Sequence, residues 1–157
     1  MRLREYSSED KEELVQLFYE TVHSINAADY DAAQLTAWAP DNIDVDQWCG
    51  CFETGYAWVV EEDGQIIGFG NLKSSGRLDR LYVHKDHQGK GVGTLLAEAI
   101  EKQARRISLK ELRVEASITA RPFFLQKGYR LFKENTVLRG DQKLRNYTMT
   151  KKLLPET

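Results

Sequence analysis

The sequence predicts an α+β fold with a mixed, mostly antiparallel twisted sheet of about six to seven strands and about four to five flanking helices. Short β-branched and aromatic runs, separated by turn signals such as Asp63-Gly64, indicate strands and hairpins in the middle and at the end of the chain. Apolar residues at helical spacing indicate two long helices, one near the start and one after Gly91. With 157 residues and no linker or repeat, we expect one domain over residues 1–157.

The first part of the chain is predicted to hold one short strand followed by helices. Ser8 is a good N-cap, and the acidic residues after it favour the first turn of a helix. The apolar face of this helix recurs at helical spacing: Leu14, Leu17, Phe18 and Val22. The other elements predicted here are a strand over 3–6, a helix from Asp29-Tyr30 to near Pro40, and a short helix from Asp44 or Asp46 to Gly55.

The remainder of the chain alternates strands with two helices. Asp63-Gly64 is a strong hairpin turn, and Gly140-Asp141 is expected to join the last two strands. The predicted strands span residues 56–61, 65–72, 77–84, 111–116, 131–139 and 143–152, and the predicted helices span 91–106 and 120–126.

Composition and charge exclude several classes of partner. The formal net charge is −2 and the isoelectric point is about 6.0, so nothing indicates binding to nucleic acid or to an anionic membrane. The sequence shows no apolar signal segment and no run of about 18 apolar residues. We therefore expect a cytoplasmic protein with no nucleic-acid and no membrane partner, and the option of a homodimer stays open. Cys49 and Cys51 form a C-x-C pair with no second Cys or His pair nearby, which predicts two reduced thiols and no metal site.

The most informative stretch runs from Leu81 to Leu96, where a strand leads through a loop into an amphipathic helix. The loop has glycine at positions 89, 91 and 93, which permits φ > 0 and close approach of a ligand to the backbone. The first amides of a helix lack internal partners, and with the positive end of the helix dipole they form a site for an anion such as a diphosphate. Polar side chains of the same stretch add further donors: Gln88, Lys90 and Thr94.

Two other phosphate-binding motifs fit this loop less well. A P-loop needs G-x-x-x-x-G-K-[ST], which does not occur, and the dinucleotide fingerprint needs G-x-G-x-x-G, whereas the loop has G-x-G-x-G. A nucleotide-binding domain and a glycine-rich turn without a ligand remain as weaker alternatives.

Two segments resemble motifs of one known family. Residues 88–93, Gln-Gly-Lys-Gly-Val-Gly, resemble the Q/R-x-x-G-x-G/A signature of the GNAT superfamily of N-acetyltransferases. Residues 120–129 resemble the later A-x-x-F-Y-x-x-x-G-F segment of that family, and the predicted strand 111–116 lies between the two, as the family requires. The resemblance covers most of the chain from Trp58 to Met149, and segments 29–40 and 114–120 also look like a bacterial branch of the family.

The resemblance implies acetyl-CoA as co-substrate, with its pantetheine arm in a gap between two splayed strands. The strand before the glycine loop would pair with the pantetheine, and residues 88–94 would bind the diphosphate. Ser117 would contact the cofactor, and two phenylalanines would pack near the thioester. The cofactor-binding residues implied in this way are Leu81, Tyr82, Val83, Gln88, Gly89, Lys90, Gly91, Val92, Gly93, Thr94, Ser117, Phe123 and Phe124.

Acetyl transfer to an amine needs a proton acceptor, because an amine of pKa ~10.4 is almost fully protonated at pH 7. Asp79 is the first candidate, since it lies on the strand before the loop, two residues from Leu81, and alternation predicts that both side chains face the same side. His23, at the end of the first helix, is the second candidate. A strand amide near Leu81 or Tyr82 is expected to stabilise the oxyanion.

One departure from the family pattern affects the leaving group. Many members have Tyr where this chain has Phe124, and that Tyr can protonate the thiolate. A thiol of pKa ~8.5 is a tolerable leaving group without an acid. Tyr129 and Tyr147 are candidates for the missing hydroxyl.

The acceptor pocket is expected near the N-terminal helices and the last hairpin, with Asn26, Asp29, Tyr30 and Trp38 as substrate-binding residues. The alternative is that Tyr30 and Trp38 belong to the core and that Asp29 caps a helix. The predicted function is transfer of an acetyl group from acetyl-CoA to a primary amine of a small molecule or peptide, by direct attack in a ternary complex. The alternative is a non-catalytic module that binds or senses acyl-CoA.

Overall fold

A seven-stranded mixed sheet forms the centre of the structure, a computed structural model that describes residues 1–153. The strand order is β1-β2-β3-β4-β5-β7-β6, and of these neighbours only β4 and β5 are parallel. The strands are β1 (Arg2–Glu5), β2 (Tyr56–Glu62), β3 (Gln65–Leu72), β4 (Arg77–Val83), β5 (Glu111–Ser117), β6 (Arg130–Arg139) and β7 (Gln142–Lys152). The α-helices are α1 (Lys11–Ser24), α2 (Ala32–Trp38), α3 (Val45–Cys49), α4 (Val92–Arg106) and α5 (Arg121–Gln126). The predicted α+β class with a mostly antiparallel sheet is confirmed.

The helices cover both faces of the sheet. On one face, α1 to α3 bury an apolar cluster against strand residues such as Val59 and Phe69. On the other, α4 buries Val92 and Leu96 against Val60 and Ile67, and α4 and α5 continue this layer over β5. No helix within residues 1–153 combines the length and the hydropathy needed to cross a membrane.

The starts of the first two helices differ from the prediction. A single 3-10 turn, Ser8–Asp10, precedes α1, and Ser7 rather than Ser8 occupies the cap position. The helix predicted from Asp29 begins instead at Ala32, because the Asp31 carboxylate accepts the Gln34 amide at 2.8 Å and the Gln34 side chain accepts the Asp31 amide at 2.9 Å. This reciprocal capping box makes Asp31 the N-cap of α2.

Helix α4 lies directly on β3 because Gly68 has no side chain. A Cβ at Gly68 would lie 2.5 Å from Val92 Cγ1 and 3.3 Å from the carbonyl oxygen of Tyr82. The first turn of α4 therefore sits close to β3 and β4, and this approach positions the N-terminus of the helix relative to the strands.

We expect Gly68→Ala to lower the free energy of unfolding by about 1–3 kcal/mol, because the added methyl overpacks a filled contact. Urea unfolding measures the change. Gly50→Ala is the matched control, since Gly50 has an ordinary helical φ of −56° and no atom lies within 4 Å of the position that an alanine Cβ would take there. Equal stability of the two variants would contradict the close contact between α4 and β3.

Candidate active site

The parallel strands β4 and β5 separate soon after they meet. They pair only through Arg77 with Arg113 and through Leu78 with Val114, whereas β4 stays paired with β3 as far as Val83. The amide of His84 donates to the Ile67 carbonyl at 2.9 Å. In an antiparallel ladder that starts there, the peptide groups of Leu81 and Val83 point away from β3. They therefore line a gap that opens between β4 and β5.

Two cavities meet in this gap. The first, which we call the α4 cleft, has a volume of about 200 Å³ and lies beside α4 and α5; its lining includes Leu81, Val83, Gln88, Gly93, Ala116 and Phe123. The second, which we call the hairpin cleft, has a volume of about 330 Å³ and lies beside the β6–β7 hairpin; its lining includes Arg77, Glu115, Val137, Arg139, Leu144 and Arg145. Both cavities are also lined by Trp38, Asp79, Arg80, Tyr82, Glu115 and Ser117.

Asp79 sits on a β-bulge where the two clefts meet. Asn71 pairs with Arg80 and Leu72 pairs with Leu78, so Asp79 is the extra residue of β4. Its carboxylate accepts a bond from the Asn71 side chain at 3.4 Å and lies 3.6 Å from Arg77 Nε. The prediction that Asp79 and Leu81 face the same side is wrong, because the bulge interrupts the alternation and Leu81 packs with the α4 layer.

The glycine loop presents free amides at the N-terminus of α4. Gly89 and Gly91 have φ of 73° and 86°, and Gly91 is the N-cap. Within residues 1–153 the amides of residues 89–94 have no acceptor, and the first bond of the helix runs from Leu95 to the Gly91 carbonyl at 3.1 Å. No atom lies within 4 Å of a Cβ placed on either glycine, so the donors face open space. Lys90 is exposed beside them, while Val92 is buried and Thr94 is half-buried in the first helical turn.

The Gln88 side chain holds the loop to the strand instead of pointing to solvent. Its Nε2 donates to the Val83 carbonyl at 2.8 Å, and the Thr21 hydroxyl donates to the same oxygen at 3.1 Å. The Val83 carbonyl is therefore already bonded, which leaves the Leu81 peptide group and the Val83 amide as the open positions on this edge of β4.

Helix α5 closes the far side of the α4 cleft. Phe123 lies against Gly93, where a Cβ would come within 3.0 Å of the ring. Phe124 is buried and packs against Tyr129 at 5.1 Å between ring centroids. Neither Tyr129 nor Tyr147 lines either cleft, and burial raises the pKa of Tyr129. The structure does not bring the two candidate replacement hydroxyls to the gap.

The predicted acceptor residues are only partly brought together. Asn26 and Trp38 line the α4 cleft, and Tyr30 and Trp38 line the hairpin cleft. Tyr30 is also structural, since its hydroxyl donates to the Arg145 carbonyl at 2.6 Å and accepts the Ile118 amide at 2.9 Å. Asp29 lines neither cleft and is the C-cap of the 3-10 turn Asn26–Ala28 rather than the N-cap of α2; its carboxylate accepts the Thr119 hydroxyl at 2.8 Å.

Ser117 lines both clefts but is also engaged locally. Its Oγ accepts the Ala120 amide at 3.0 Å and so supports the start of α5. The hydroxyl hydrogen of Ser117 remains available for a second bond in the gap.

The three histidines lie outside the gap. His23 Nε2 bonds to the Ala39 carbonyl at 2.7 Å and the ring packs on Tyr19 at 4.3 Å. His84 is buried and its Nδ1 accepts the Asp86 amide at 3.0 Å, while His87 packs edge-on against it. The structure therefore brings Asp79, but not His23, to the two clefts.

Glu115 is the other carboxylate of the hairpin cleft. Burial raises its pKa, but hydrogen bonds from Thr148 at 2.5 Å and from Arg113 at 2.9 Å outweigh this, so the pKa of Glu115 is lowered. Glu115 is thus held ionised by its own partners, whereas the Asp79 carboxylate has a long bond from Asn71, Arg77 at 3.6 Å and the Cys51 thiol as neighbours.

Sequence reasoning missed several lining residues. Thr21 and Ile25 on α1 reach the α4 cleft, and the hairpin cleft contains four arginines: Arg77, Arg80, Arg139 and Arg145. The charged residues Arg77 and Arg80 on β4 were a usable signal. Nothing local marks Arg139 or Arg145, because they reach the cleft only through the pairing of β6 with β7 and of β7 with β5.

Comparison with known proteins identifies the family. A model of the acetyltransferase (GNAT) domain matches residues 26–153. The Escherichia coli protein named uncharacterized N-acetyltransferase YafP is 30% identical over 137 residues, which are 87% of this chain and 86% of YafP. The chain belongs to the GNAT superfamily of N-acetyltransferases.

Solved GNAT structures share the fold. A GCN5-related N-acetyltransferase from Rhodopseudomonas palustris superposes with a TM-score of 0.93 and 35% identity, over 97% of this chain and 95% of that one. PaiA N-acetyltransferase from Thermoplasma acidophilum, solved in complex with coenzyme A, gives a TM-score of 0.78 at 20% identity, over 97% of this chain and 98% of that one. The gap, the glycine loop and α5 of this GNAT protein are therefore parts of a fold that these acetyltransferases share.

We expect Gly91→Ala to weaken coenzyme A binding by about tenfold, because a left-handed φ costs an L-residue about 1–2 kcal/mol and the loop amides turn away to relieve it. Gly64→Ala is the matched control, since Gly64 also has positive φ (78°) and open space but lies in the β2–β3 hairpin. Calorimetry measures affinity and thermal unfolding measures stability. Equal affinities of the two variants would mean that the loop amides do not bind the diphosphate.

Proposed function

We propose that this GNAT protein transfers the acetyl group of acetyl-CoA to the primary amine of a small molecule or peptide, by direct attack in a ternary complex. The observation that carries the proposal is the meeting of two clefts at one open strand edge, with free amides at one end and Asp79 at the other. One cleft suits the cofactor and the second admits an acceptor to the same strand.

The cofactor fits the α4 cleft by the chemistry of its donors. The unpaired amides of residues 89–94 and the N-terminus of a 15-residue helix favour the diphosphate. The Leu81 carbonyl and the Val83 amide, which are open on this edge of β4, suit the amides of the pantetheine arm, which can add to β4 as an extended strand would. Phe123 offers an apolar wall on the opposite side.

The transfer step forms one bond and breaks one bond. The amine nitrogen attacks the thioester carbon, its carbonyl oxygen gains charge, and the C–S bond then breaks so that its electron pair leaves on sulfur. The Leu81 amide is the strand donor that faces the gap, so it suits the oxyanion better than the Tyr82 amide, which faces β3. The proton lost by the amine nitrogen needs an acceptor on the side of the nitrogen that faces away from the thioester.

Asp79 is the group best suited to take that proton. It lies where both clefts meet, and its hydrogen bond from Asn71 is long at 3.4 Å. Glu115 is bonded by Thr148 and Arg113, which lowers its pKa and occupies its oxygens. His23 bonds to a carbonyl outside the clefts.

The thiolate must leave without the tyrosine that many family members supply. Phe124 is buried and Tyr129 and Tyr147 lie outside the clefts. A thiolate whose conjugate acid has a pKa of ~8.5 leaves without help and takes a proton from water. The same observation favours the second candidate function, a module that binds acyl-CoA without turnover.

We expect Asp79→Asn to lower kcat/KM for amine acetylation by about 100-fold or more, because a general base contributes about 10²–10⁴. Binding of coenzyme A is expected to be unchanged. Thiol release from acetyl-CoA measures turnover and calorimetry measures binding. The acetylation rate of Asp79→Asn is expected to rise about tenfold per pH unit as the pH approaches ~10.4, because a growing fraction of the amine acceptor is then unprotonated.

Glu115→Gln is the matched control, because it removes the neighbouring carboxylate of the hairpin cleft. A larger loss of activity in Glu115→Gln than in Asp79→Asn would reverse the assignment of the base. Coenzyme A binding without turnover of any amine would favour the sensing module. Absence of coenzyme A binding by the folded protein would refute both functions.

A further inference from the structure

The hairpin cleft carries an excess of positive charge. Its charged lining consists of four arginines and two carboxylates: Arg77, Arg80, Arg139, Arg145, Asp79 and Glu115. The whole chain has a formal net charge of −2, so this concentration of arginine is local and opposite to the overall sign.

Ion pairs neutralise only part of this charge. Arg77 lies 3.6 Å from Asp79, and Arg145 lies 2.8 Å from Glu134. Glu115 is paired with Arg113, which is not part of the cleft lining. Across residues 1–153, neither Arg80 nor Arg139 has a carboxylate within 4.0 Å.

Arg80 is held in place by groups that leave its charge uncompensated. Its guanidinium lies 3.9 Å from the centroid of the Trp48 ring, and its Nη1 donates to the Trp48 carbonyl at 2.6 Å and to Cys51 Sγ at 3.1 Å. Burial raises the pKa of the Cys51 thiol, which is therefore neutral at physiological pH. In the described part of the chain only Nη1 of this guanidinium is bonded, so Nε and Nη2 remain as donors.

Arg139, on β6, lines the same hairpin cleft as Arg80. Its one hydrogen bond in the described chain is to the adjacent Leu138 carbonyl at 3.1 Å, so its side chain is not used by the fold. Arg80 and Arg139 both act on Tyr82: burial raises the pKa of its hydroxyl to about 12, and the two guanidinium charges oppose that rise. The two arginines without a carboxylate partner therefore line the same cleft as Tyr82.

We propose that the acceptor is a free amino acid, whose carboxylate binds between Arg80 and Arg139 while its amine faces Asp79. This inference rests on the proposed function and names its substrate class. A guanidinium offers paired N–H groups that match the two oxygens of a carboxylate, and a pre-positioned one binds with little loss of side-chain freedom. The surrounding positive charge disfavours polyamines and aminoglycosides, and it lowers the pKa of a bound amine toward its reactive, unprotonated form.

Matched pairs of amines test the proposal. Each amino acid is compared with its decarboxylated partner, for example alanine with ethylamine and phenylalanine with phenethylamine, and thiol release from acetyl-CoA gives kcat/KM. We expect the wild-type protein to prefer the carboxylate member by about tenfold or more, as for one charge-assisted interaction. Phosphoethanolamine against ethanolamine is the arm that separates a phosphate from a carboxylate.

Arg139→Gln is the decisive variant because this exposed side chain supports nothing else in the fold. It is expected to lower kcat/KM about tenfold more for the carboxylate member than for the neutral partner. Arg80→Gln is expected to do the same, and Arg80→Lys to retain part of the preference. Arg106→Gln, on the exposed end of α4 and bonded to Gln103, is the charge-matched control and is expected to change neither rate.

Three results would overturn the inference. Preference for the decarboxylated amine, for a polyamine or for phosphoethanolamine would do so while leaving acetyl transfer to amines intact. An equal loss on both members of each pair in Arg80→Gln and Arg139→Gln would assign these arginines a structural role. Coenzyme A binding is measured first on every variant, and its absence in the wild-type protein would refute the proposed function together with this inference.

Discussion

The early end of pairing between two parallel strands is the constraint on which the rest of the site depends. Because β4 and β5 share only the Arg77 and Leu78 positions, the outer edge of β4 keeps free main-chain donors and acceptors. If β4 and β5 stayed paired here, the hydrogen bonds between them would use these donors and acceptors. The other edge of β4 remains bonded to β3 up to Val83. A ligand in the gap therefore meets β4 along the edge that β5 leaves unpaired.

Small residues and one bulge convert this open edge into a site with two sides. Gly68 and Gly93 let α4 lie close to β3 and to Phe123, which brings the helix N-terminus to the end of the gap. The bulge at Asp79 turns that side chain away from the α4 layer. The end of the gap at α4 is thus built from backbone groups, and the hairpin cleft is lined by charged side chains. Backbone donors suit a co-substrate common to a family, while side chains can differ between members to select the acceptor.

Much of the cofactor end was predictable because its signals are local. The glycines at 89 and 91 indicate positive φ and an exposed helix start, and Phe123 follows from the second motif. The acceptor end was predictable only in part. Trp38 and Asn26 lie in the clefts as expected, but Asp29 and His23 do not, because Thr119 and the Ala39 carbonyl engage them elsewhere. Thr119 is distant in sequence from Asp29, and no sequence pattern marks the Ala39 carbonyl as the partner of His23.

The sequence by itself determined the fold class, the strand–glycine loop–helix unit and the family, since each depends on periodicity or on short-range spacing. Only the tertiary structure decided which side chains share the hairpin cleft. Arg80 and Arg139 lie on β4 and β6, and three strand pairings, β4–β5, β5–β7 and β7–β6, bring them to the same cleft. Strand order, the register shift at Asp79 and the divergence of β4 from β5 arise from long-range packing, which no local pattern encodes.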